Sequence, residues 1–390
     1  MRSEKEVGDI LRGLGERIET LGLNTFQLRT LSALRSCRTA DLGGHVDACT
    51  ECGVMRVSYN SCRNRHCPKC QGNKREQWIQ ARNSELLPVP YFHVVFTLPE
   101  ELNFLCLRYP KEAYGILFKA VWETLRKFGD KNHLTTGMIS ILHTWGQNLN
   151  LHPHLHCIVP GGGIDKNGKW KNIRTDGKFL FPVKALSKVF RAKYVSHLRQ
   201  TALLPEKVIR PLFFKRWVVY AKRPFAHPSH IVEYLGRYTH KVAISNNRII
   251  SYRVLRTQYK YENHRVSFSY KDYRDGGCKK VMELEDSEFI RRFSLHILPL
   301  RFMRIRHYGI LSSTSKKVTI PSIREQLGTT EISFTAYFVR STSIDMRKTK
   351  TFDPKICPCC GTPTMLTIEV ISARGPPGTA TGKRPVATKI

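Results

Sequence analysis

The sequence predicts an α+β chain: an antiparallel sheet flanked by helices, preceded by a small zinc-ribbon domain. Three observations carry that prediction. Tyr91–Leu98, YFHVVFTL, is a short apolar β-rich run closed by Pro99, and Tyr114–Phe128 follows as an amphipathic helix. Met138–Gly146 and a run starting near His154 then read as two strands, and the polar segment 147–150 turns one back on the other. Ahead of all this, Cys49-x2-Cys52 and Cys67-x2-Cys70, with 14 residues between the knuckles, match the spacing of a four-thiolate zinc ribbon. A doubly wound nucleotide fold is excluded, because Gly161-Gly162-Gly163 lacks both phosphate-binding glycine patterns; these glycines are expected to end a strand.

The 390 residues leave room for two or three domains. Lys and Arg number 64 against 31 Asp and Glu, a formal charge of +33 with a pI near 10.0. That excess is spread along the chain and implies a polyanionic partner, nucleic acid first. A membrane partner is not expected: no long basic amphipathic helix stands out, no run of about 18 apolar residues occurs, and the charged first 20 residues do not read as a signal peptide. The expected location is the cytoplasm, at the nucleoid. There thiols stay reduced, so the 12 cysteines read as metal ligands and not as a disulfide frame.

Residues 1–36 read as two helices, with Val7, Ile10, Leu11, Leu14 and Ile18 on one face and Leu28, Leu31 and Leu34 on another. They are expected to pack, since no recognition-helix signature is present. Residues 37–80 form the zinc-binding, DNA-recognising domain. Beside Cys49, Cys52, Cys67 and Cys70, the residues Cys37, His45, Cys62 and His66 either build a second zinc site or are free thiols and surface histidines. Arg56, Arg63, Arg65, Lys69, Lys74 and Arg75 make this module basic enough for DNA.

Residues 90–310 read as one larger α+β domain. Within it, residues 164–183 read as a hairpin or loop, 183–203 as a helix, 213–220 as a strand and 248–273 as hairpins. Phe289–Ile310 interleaves Arg301, Arg304, Arg306 and other basic residues with aromatic ones, either to stack single-stranded DNA or as a helix and strand with basic outer faces. In the region 311–371, Cys357-x2-Cys360 is half a knuckle whose partner ligands would have to come from elsewhere. Residues 372–390, rich in Gly, Pro, Thr and Lys, read as a disordered tail.

Two constellations suggest chemistry. On a strand, His154 and His156 share a face, and His143 on the neighbouring strand can supply a third nitrogen. A three-imidazole site suits zinc, manganese or another transition metal and leaves positions open for substrate; the bland alternative is a structural zinc site or packed histidines. Tyr234 and Tyr238, four apart on a helix, share a face. They are either a packing pair or two phenol nucleophiles, with Arg237, His240 and Lys241 beside them for phosphate or simply solvated.

In this order, CRTADLGGH, SCRNRHCPKCQ, YFHVVFTLP, LHTWGQNLNLHPHLHCIVPGGG, EYLGRYTHKVAI and RFMRIRHYG make the chain resemble the two-tyrosine HUH transposases of rolling-circle insertion sequences, of the insertion sequence ninety-one type, over roughly residues 37–310. The resemblance implies an HUH-endonuclease-like fold, with residues 90–310 as the nuclease domain, and a zinc domain that reads element ends through Cys49, Cys52, Cys67 and Cys70. His154 and His156 would hold Mg²⁺ or Mn²⁺, with His143 as third ligand and Gln147 or Glu233 as alternatives. Tyr234 or Tyr238 would attack single-stranded DNA at insertion-sequence ends, leaving a 5′-phosphotyrosine and a free 3′-hydroxyl, and the other would accept the other strand; target DNA is a further partner. Arg237, Lys241, Arg301, Arg304 and Arg306 would bind DNA, and host replication proteins are conceivable partners. A replication initiator or plasmid relaxase shares this chemistry, although the amino-terminal zinc module speaks for a transposase. A non-catalytic zinc DNA-binding regulator is the alternative of another class.

Overall fold

The computed structural model describes residues 5–71, 85–173, 180–222, 242–256, 262–273, 275–328 and 353–373. Helices α1 (Val7–Leu14) and α2 (Thr25–Arg35) form the expected amino-terminal pair. Gly22, at φ 64°, turns the chain where an L side chain would be strained. Asn24 and Gln27 then cap α2 reciprocally, each backbone N–H donating to the other's side-chain oxygen at 3.0 Å. Val7, Ile10, Leu11, Leu14, Leu31 and Leu34 are buried where the two helices pack, each contributing about 1.5–3 kcal/mol relative to an exposed side chain.

Strands β1 (Gly44–Cys49) and β2 (Met55–Tyr59) make an antiparallel hairpin. Next come β3 (Tyr91–Thr97), α3 (Asn103–Arg108), α4 (Pro110–Asp130), β4 (Gly137–Trp145) and β5 (Leu151–Pro160). Pro110 opens α4 at a position where its missing N–H costs nothing. Strand β5 begins three residues before His154, earlier than the proline at 153 suggested. The register with β4 shifts between His143 and Trp145, so Pro153 lies at a ladder irregularity, while its carbonyl accepts from Leu98 N–H at 3.0 Å.

A small hairpin of β6 (Gly162–Ile164) and β7 (Trp170–Asn172) follows. The glycine run does more than end β5. A Cβ on Gly162 would lie 2.4 Å from the Lys171 carbonyl oxygen and one on Gly163 would lie 2.5 Å from that of Thr135, so the backbones approach as only glycine permits. Helix α5 (Val183–Gln200) matches expectation, but the strand expected over 213–220 is corrected. Phe213 and Phe214 end helix α6 (Glu206–Phe214), and only β8 (Val219–Lys222) is extended. An apolar run this short does not distinguish the two periodicities. Ile209 and Leu212, spaced for a helix, reach the core, and Trp217 Nε1 donates to the Leu212 carbonyl at 2.9 Å.

Strands β9 (Ile249–Arg256), β10 (Glu262–Asp272) and β11 (Cys278–Glu285) form an antiparallel meander. The described chain continues through α7 (Asp286–Ser294), β12 (Ile305–Gly309) and α8 (Lys316–Gln326) to β13 (Met365–Ile371). The central sheet has the order β12-β4-β5-β3-β8, with antiparallel neighbours. Its first face, including Phe92, Val94, Phe96, Leu142 and Leu155, packs on α4 and α5. On its second face Ile139, Ile141 and Ile158 are covered by Ile320 and Ile323 of α8, and beyond them toward the far end of β4 and β5 lie the histidines.

A second core joins α1, α2, α7 and β10 to Cys37, Cys67 and the half-buried Trp145. The carboxy-terminal region expected over 311–371 is therefore divided. Helix α8 belongs to the central sheet, whereas β13 pairs with β1 and completes a three-stranded sheet. Of the expected tail, residues 374–390 lie outside the described residues. No helix among the described residues is long and apolar enough to cross a membrane.

Candidate metal centre and thiolate groups

His143, His154 and His156 each offer a ring nitrogen, and these three atoms lie within 4.8 Å of one another. Strand register produces the meeting: His143 of β4 stands opposite His154 of β5, and His156 follows on the same face. Hydrogen bonding fixes which nitrogens are available. His154 Nδ1 lies 2.6 Å from the His152 carbonyl, which can only accept, so Nδ1 carries the proton and the Nε2 lone pair is free. His156 Nδ1 lies 2.9 Å from His93 Nε2, with the two rings stacked 5.1 Å apart at 7°, and with Nδ1 as the donor in that bond the lone pair sits on His156 Nε2. His143 rests on Trp145, ring centroids 4.6 Å apart at 20°.

Burial pushes both the half-buried His154 and the buried His93 down to about 4, well under the ordinary imidazole range, so both are neutral at pH 7. Neutral, lone-pair-bearing imidazoles are the form that ligates a divalent cation. Three nitrogen donors suit manganese better than magnesium, which prefers oxygen. Gln147 and Glu233 were the alternative third ligands. Gln147 lies in the turn between β4 and β5, and Glu233 lies outside the described residues.

His93 was missed in the sequence, where it is one polar residue inside YFHVVFT. Its signal is parity: positions 93, 95 and 97 of β3 face the same way as 158, 156 and 154 of β5. Lys222, the last residue of edge strand β8, is in register with His93. Tyr234, Arg237, Tyr238 and Lys241 all lie outside the described residues.

The three basic residues expected near DNA are not equivalent. Arg301 is exposed. Arg306 turns to the helix-covered side, its guanidinium 4.1 Å from the Phe118 ring centroid and 5.3 Å from that of Phe302. Arg304 is held down to about 10, by burial first and by nearby Arg65 second. Arg304 and Arg306 are therefore largely built into the fold.

The cysteine grouping read from spacing is corrected. Cys49 and Cys52 do not join Cys67 and Cys70. Cys37, Cys62, Cys67 and Cys70 form one group, and Cys49, Cys52, Cys357 and Cys360 another. In the first, Sγ atoms are 3.5 Å apart for Cys37 and Cys67, 3.6 Å for Cys37 and Cys70 and 3.7 Å for Cys62 and Cys70. A tetrahedral zinc with Zn–S near 2.3 Å sets its sulfurs about 3.8 Å apart, so the group fits the ion.

The cause of the regrouping is the β1–β2 hairpin. Cys49 and Cys52 sit at its turn, while Cys37 and Cys62 flank its open end, where Arg38 N–H donates to the Asn60 carbonyl at 3.0 Å. A strand of this length spans roughly 17–20 Å, too far for one ion. The expected second site fails for its histidines. His45 Nε2 is 3.4 Å from Asp47 Oδ2, and His66 is buried beside Arg65, burial first and Arg65 second holding it down to about 3. Arg65 anchors this module to the segment between α7 and β12 by donating to the carbonyls of Leu298, Pro299 and Phe302 at 3.1, 2.7 and 2.5 Å.

Comparison with known proteins agrees with these two parts. A family described as "Putative transposase" matches residues 137–318, and one described as a transposase zinc-binding domain matches residues 10–98. The chain is 42% identical over 409 aligned positions to the "Putative transposase y4qJ" of Sinorhizobium fredii, covering 96% of this chain and 98% of that one. It is 28% identical over 327 positions to the "Transposase for insertion sequence element IS801" of Pseudomonas savastanoi pv. phaseolicola, covering 80% and 76%. No solved structure matches.

Proposed function

The chain belongs to the transposases of the IS91 type, which carry an amino-terminal zinc-binding domain, and from that premise we propose that it nicks and rejoins single-stranded DNA at insertion-sequence ends. The observation that supports this reading is the convergence of His143, His154 and His156 at one end of the central sheet, their ligating nitrogens within 4.8 Å. A divalent cation bound there, manganese or magnesium, would act as a Lewis acid on the scissile phosphate. The chain's own residues do the rest. One of Tyr234 and Tyr238 forms a bond from its phenol oxygen to phosphorus as the bond from phosphorus to the 3′-oxygen breaks. The phenol proton is balanced by the new 3′-hydroxyl, and the DNA is left as a 5′-phosphotyrosine. Because the phosphodiester is exchanged and not hydrolysed, a 3′-hydroxyl of the target can reverse the step without ATP.

The zinc module formed around Cys37, Cys62, Cys67 and Cys70 serves element-end recognition, and the +33 charge favours the phosphate backbone. The protein acts at the nucleoid in the cytoplasm, where both DNA and reduced thiols are available. The test uses a labelled single-stranded oligonucleotide carrying an element end, with Mn²⁺, and looks for a covalent adduct that survives denaturation. Tyr234→Phe with Tyr238→Phe, and separately His154→Ala with His156→Ala, should each abolish it. An adduct undiminished in the double tyrosine variant rejects the mechanism.

A further inference from the structure

We infer that Cys49, Cys52, Cys357 and Cys360 bind a second zinc ion, which fastens the carboxy-terminal part of the chain to the amino-terminal module. The family's zinc-binding match stops at residue 98, so half of these ligands lie far outside it. Cys49 and Cys360 have Sγ atoms 3.6 Å apart, and so do Cys52 and Cys357, although 305 residues separate the latter pair in sequence. These separations are far beyond a disulfide bond of about 2.05 Å and close to the roughly 3.8 Å edge of a tetrahedral zinc–thiolate site. All four ligand atoms lie within 4.8 Å of one another.

The two halves are built alike, as two zinc knuckles facing one ion would be. Each reads Cys-x2-Cys-Gly, and the glycines adopt left-handed backbones, φ 68° at Gly53 and 75° at Gly361. In each, that glycine's N–H donates to the first cysteine's carbonyl at 3.0 Å: Gly53 to Cys49 and Gly361 to Cys357. The N–H of the first cysteine in turn donates to the residue after the glycine, Cys49 to the Val54 carbonyl at 2.9 Å and Cys357 to that of Thr362 at 2.8 Å. The halves are also held in place by the protein. Strand β13 pairs with β1 from Cys49↔Met365 to Gly44↔Ile371, and Arg56 donates to the Pro354 carbonyl at 2.9 Å.

The site is therefore preorganised by a sheet whose strands come from both ends of the chain, so residues 353–371 belong to the zinc module and not to a separate appendage. Binding exchanges thiol protons for Zn²⁺ and requires no redox partner. A bare hairpin β1–β2, lacking the carboxy-terminal half, has only two of the four ligands.

The experiment measures zinc per chain on the full-length protein by elemental analysis, and thiolate-to-cobalt charge-transfer absorption when the metal-free chain is titrated with Co²⁺. The wild type should saturate at two thiolate-bound cobalt equivalents, and its zinc content is compared in a His154→Ala, His156→Ala background so that the histidine group does not add to the count; there it should hold two zinc ions. Cys357→Ser with Cys360→Ser should hold one, while Cys359→Ser, whose thiol is outside the group, should keep two. One thiolate-bound equivalent in the wild type, or two retained by the double variant, overturns the inference. If the double variant misfolds and loses the Cys37 site too, the wild-type cobalt titration decides, two equivalents supporting the second site and one refuting it.

Discussion

Replacing His93 by Phe probes how the histidine centre is held. Phenylalanine preserves the flat ring stacked 5.1 Å from His156, but removes the 2.9 Å hydrogen bond to its Nδ1. Both residues are buried, so water does not readily replace that bond, and a buried polar nitrogen left unpaired costs about 1–3 kcal/mol. His156 would then be free to take the other tautomer or rotate, and its Nε2 would no longer be aimed by the sheet. The cost appears as weaker Mn²⁺ binding, about 10- to 100-fold, the range typical for loss of a hydrogen bond behind a metal-ligating histidine. Calorimetric titration of Mn²⁺ into the wild type, His93→Phe and His93→Gln should show the loss in Phe and partial recovery in Gln, with thermal stability of the metal-free proteins as the control. Equal Mn²⁺ affinity in wild type and His93→Phe would refute the positioning argument. Failure of the wild type itself to bind Mn²⁺ would instead reject the metal centre.

Three further outcomes are expected. His296 is buried, donates from Nε2 to the Leu149 carbonyl at 3.0 Å and meets Thr144 Oγ1 at 3.1 Å through Nδ1; burial pushes it down to about 4. Because the folded value lies below the unfolded 6.5, unfolded chains take up this proton first. The stability associated with it is complete above about pH 6.5 and is lost as pH falls toward 4. Urea unfolding should therefore lose less stability between pH 7 and 5 in His296→Gln than in wild type; parallel losses would contradict it. Asp286, 1% exposed, accepts from Arg17 at 2.8 Å, from Tyr252 Oη at 3.3 Å and from Ser287 N–H at 2.7 Å. Asp286→Ala should cost about 2–3 kcal/mol in the same assay, and a change below about 0.5 kcal/mol would show the network to be inconsequential. Binding of single-stranded DNA should weaken linearly in log–log form with salt, with a slope of about −0.7 per phosphate neutralised; a flat response would exclude a backbone-dominated interface.

How far the sequence could be read depended on whether the partners were local. His143, His154 and His156 were legible because two strands joined by a short polar turn must lie side by side, and strand parity then fixes which rings meet. The zinc pairings were not legible. Local spacing favoured joining Cys49 and Cys52 to Cys67 and Cys70, but the intervening hairpin carries the two knuckles to opposite ends, and the true partners of Cys49 and Cys52 lie some 300 residues on. His93 was hidden for another reason: within an apolar strand a single histidine looks like core until the neighbouring strand's register is known. Phe213 and Phe214 read as strand because aromatic runs satisfy either period, and only the tertiary contact of Ile209 and Leu212 selects the helix.

Trp145 lies against the imidazole of His143, one of the three proposed metal ligands, and also joins the hydrophobic cluster that holds the thiols of Cys37 and Cys67. On the proposed division of labour, end recognition and strand cleavage are consequently not interchangeable cassettes on a flexible leash. A chimaera that imports another element's reading head across this seam would disturb the shelf under His143, unless the indole and the helices around it travel with the graft. Retargeting such an enzyme is better attempted on residues facing outward from the thiolate module than by swapping the module whole.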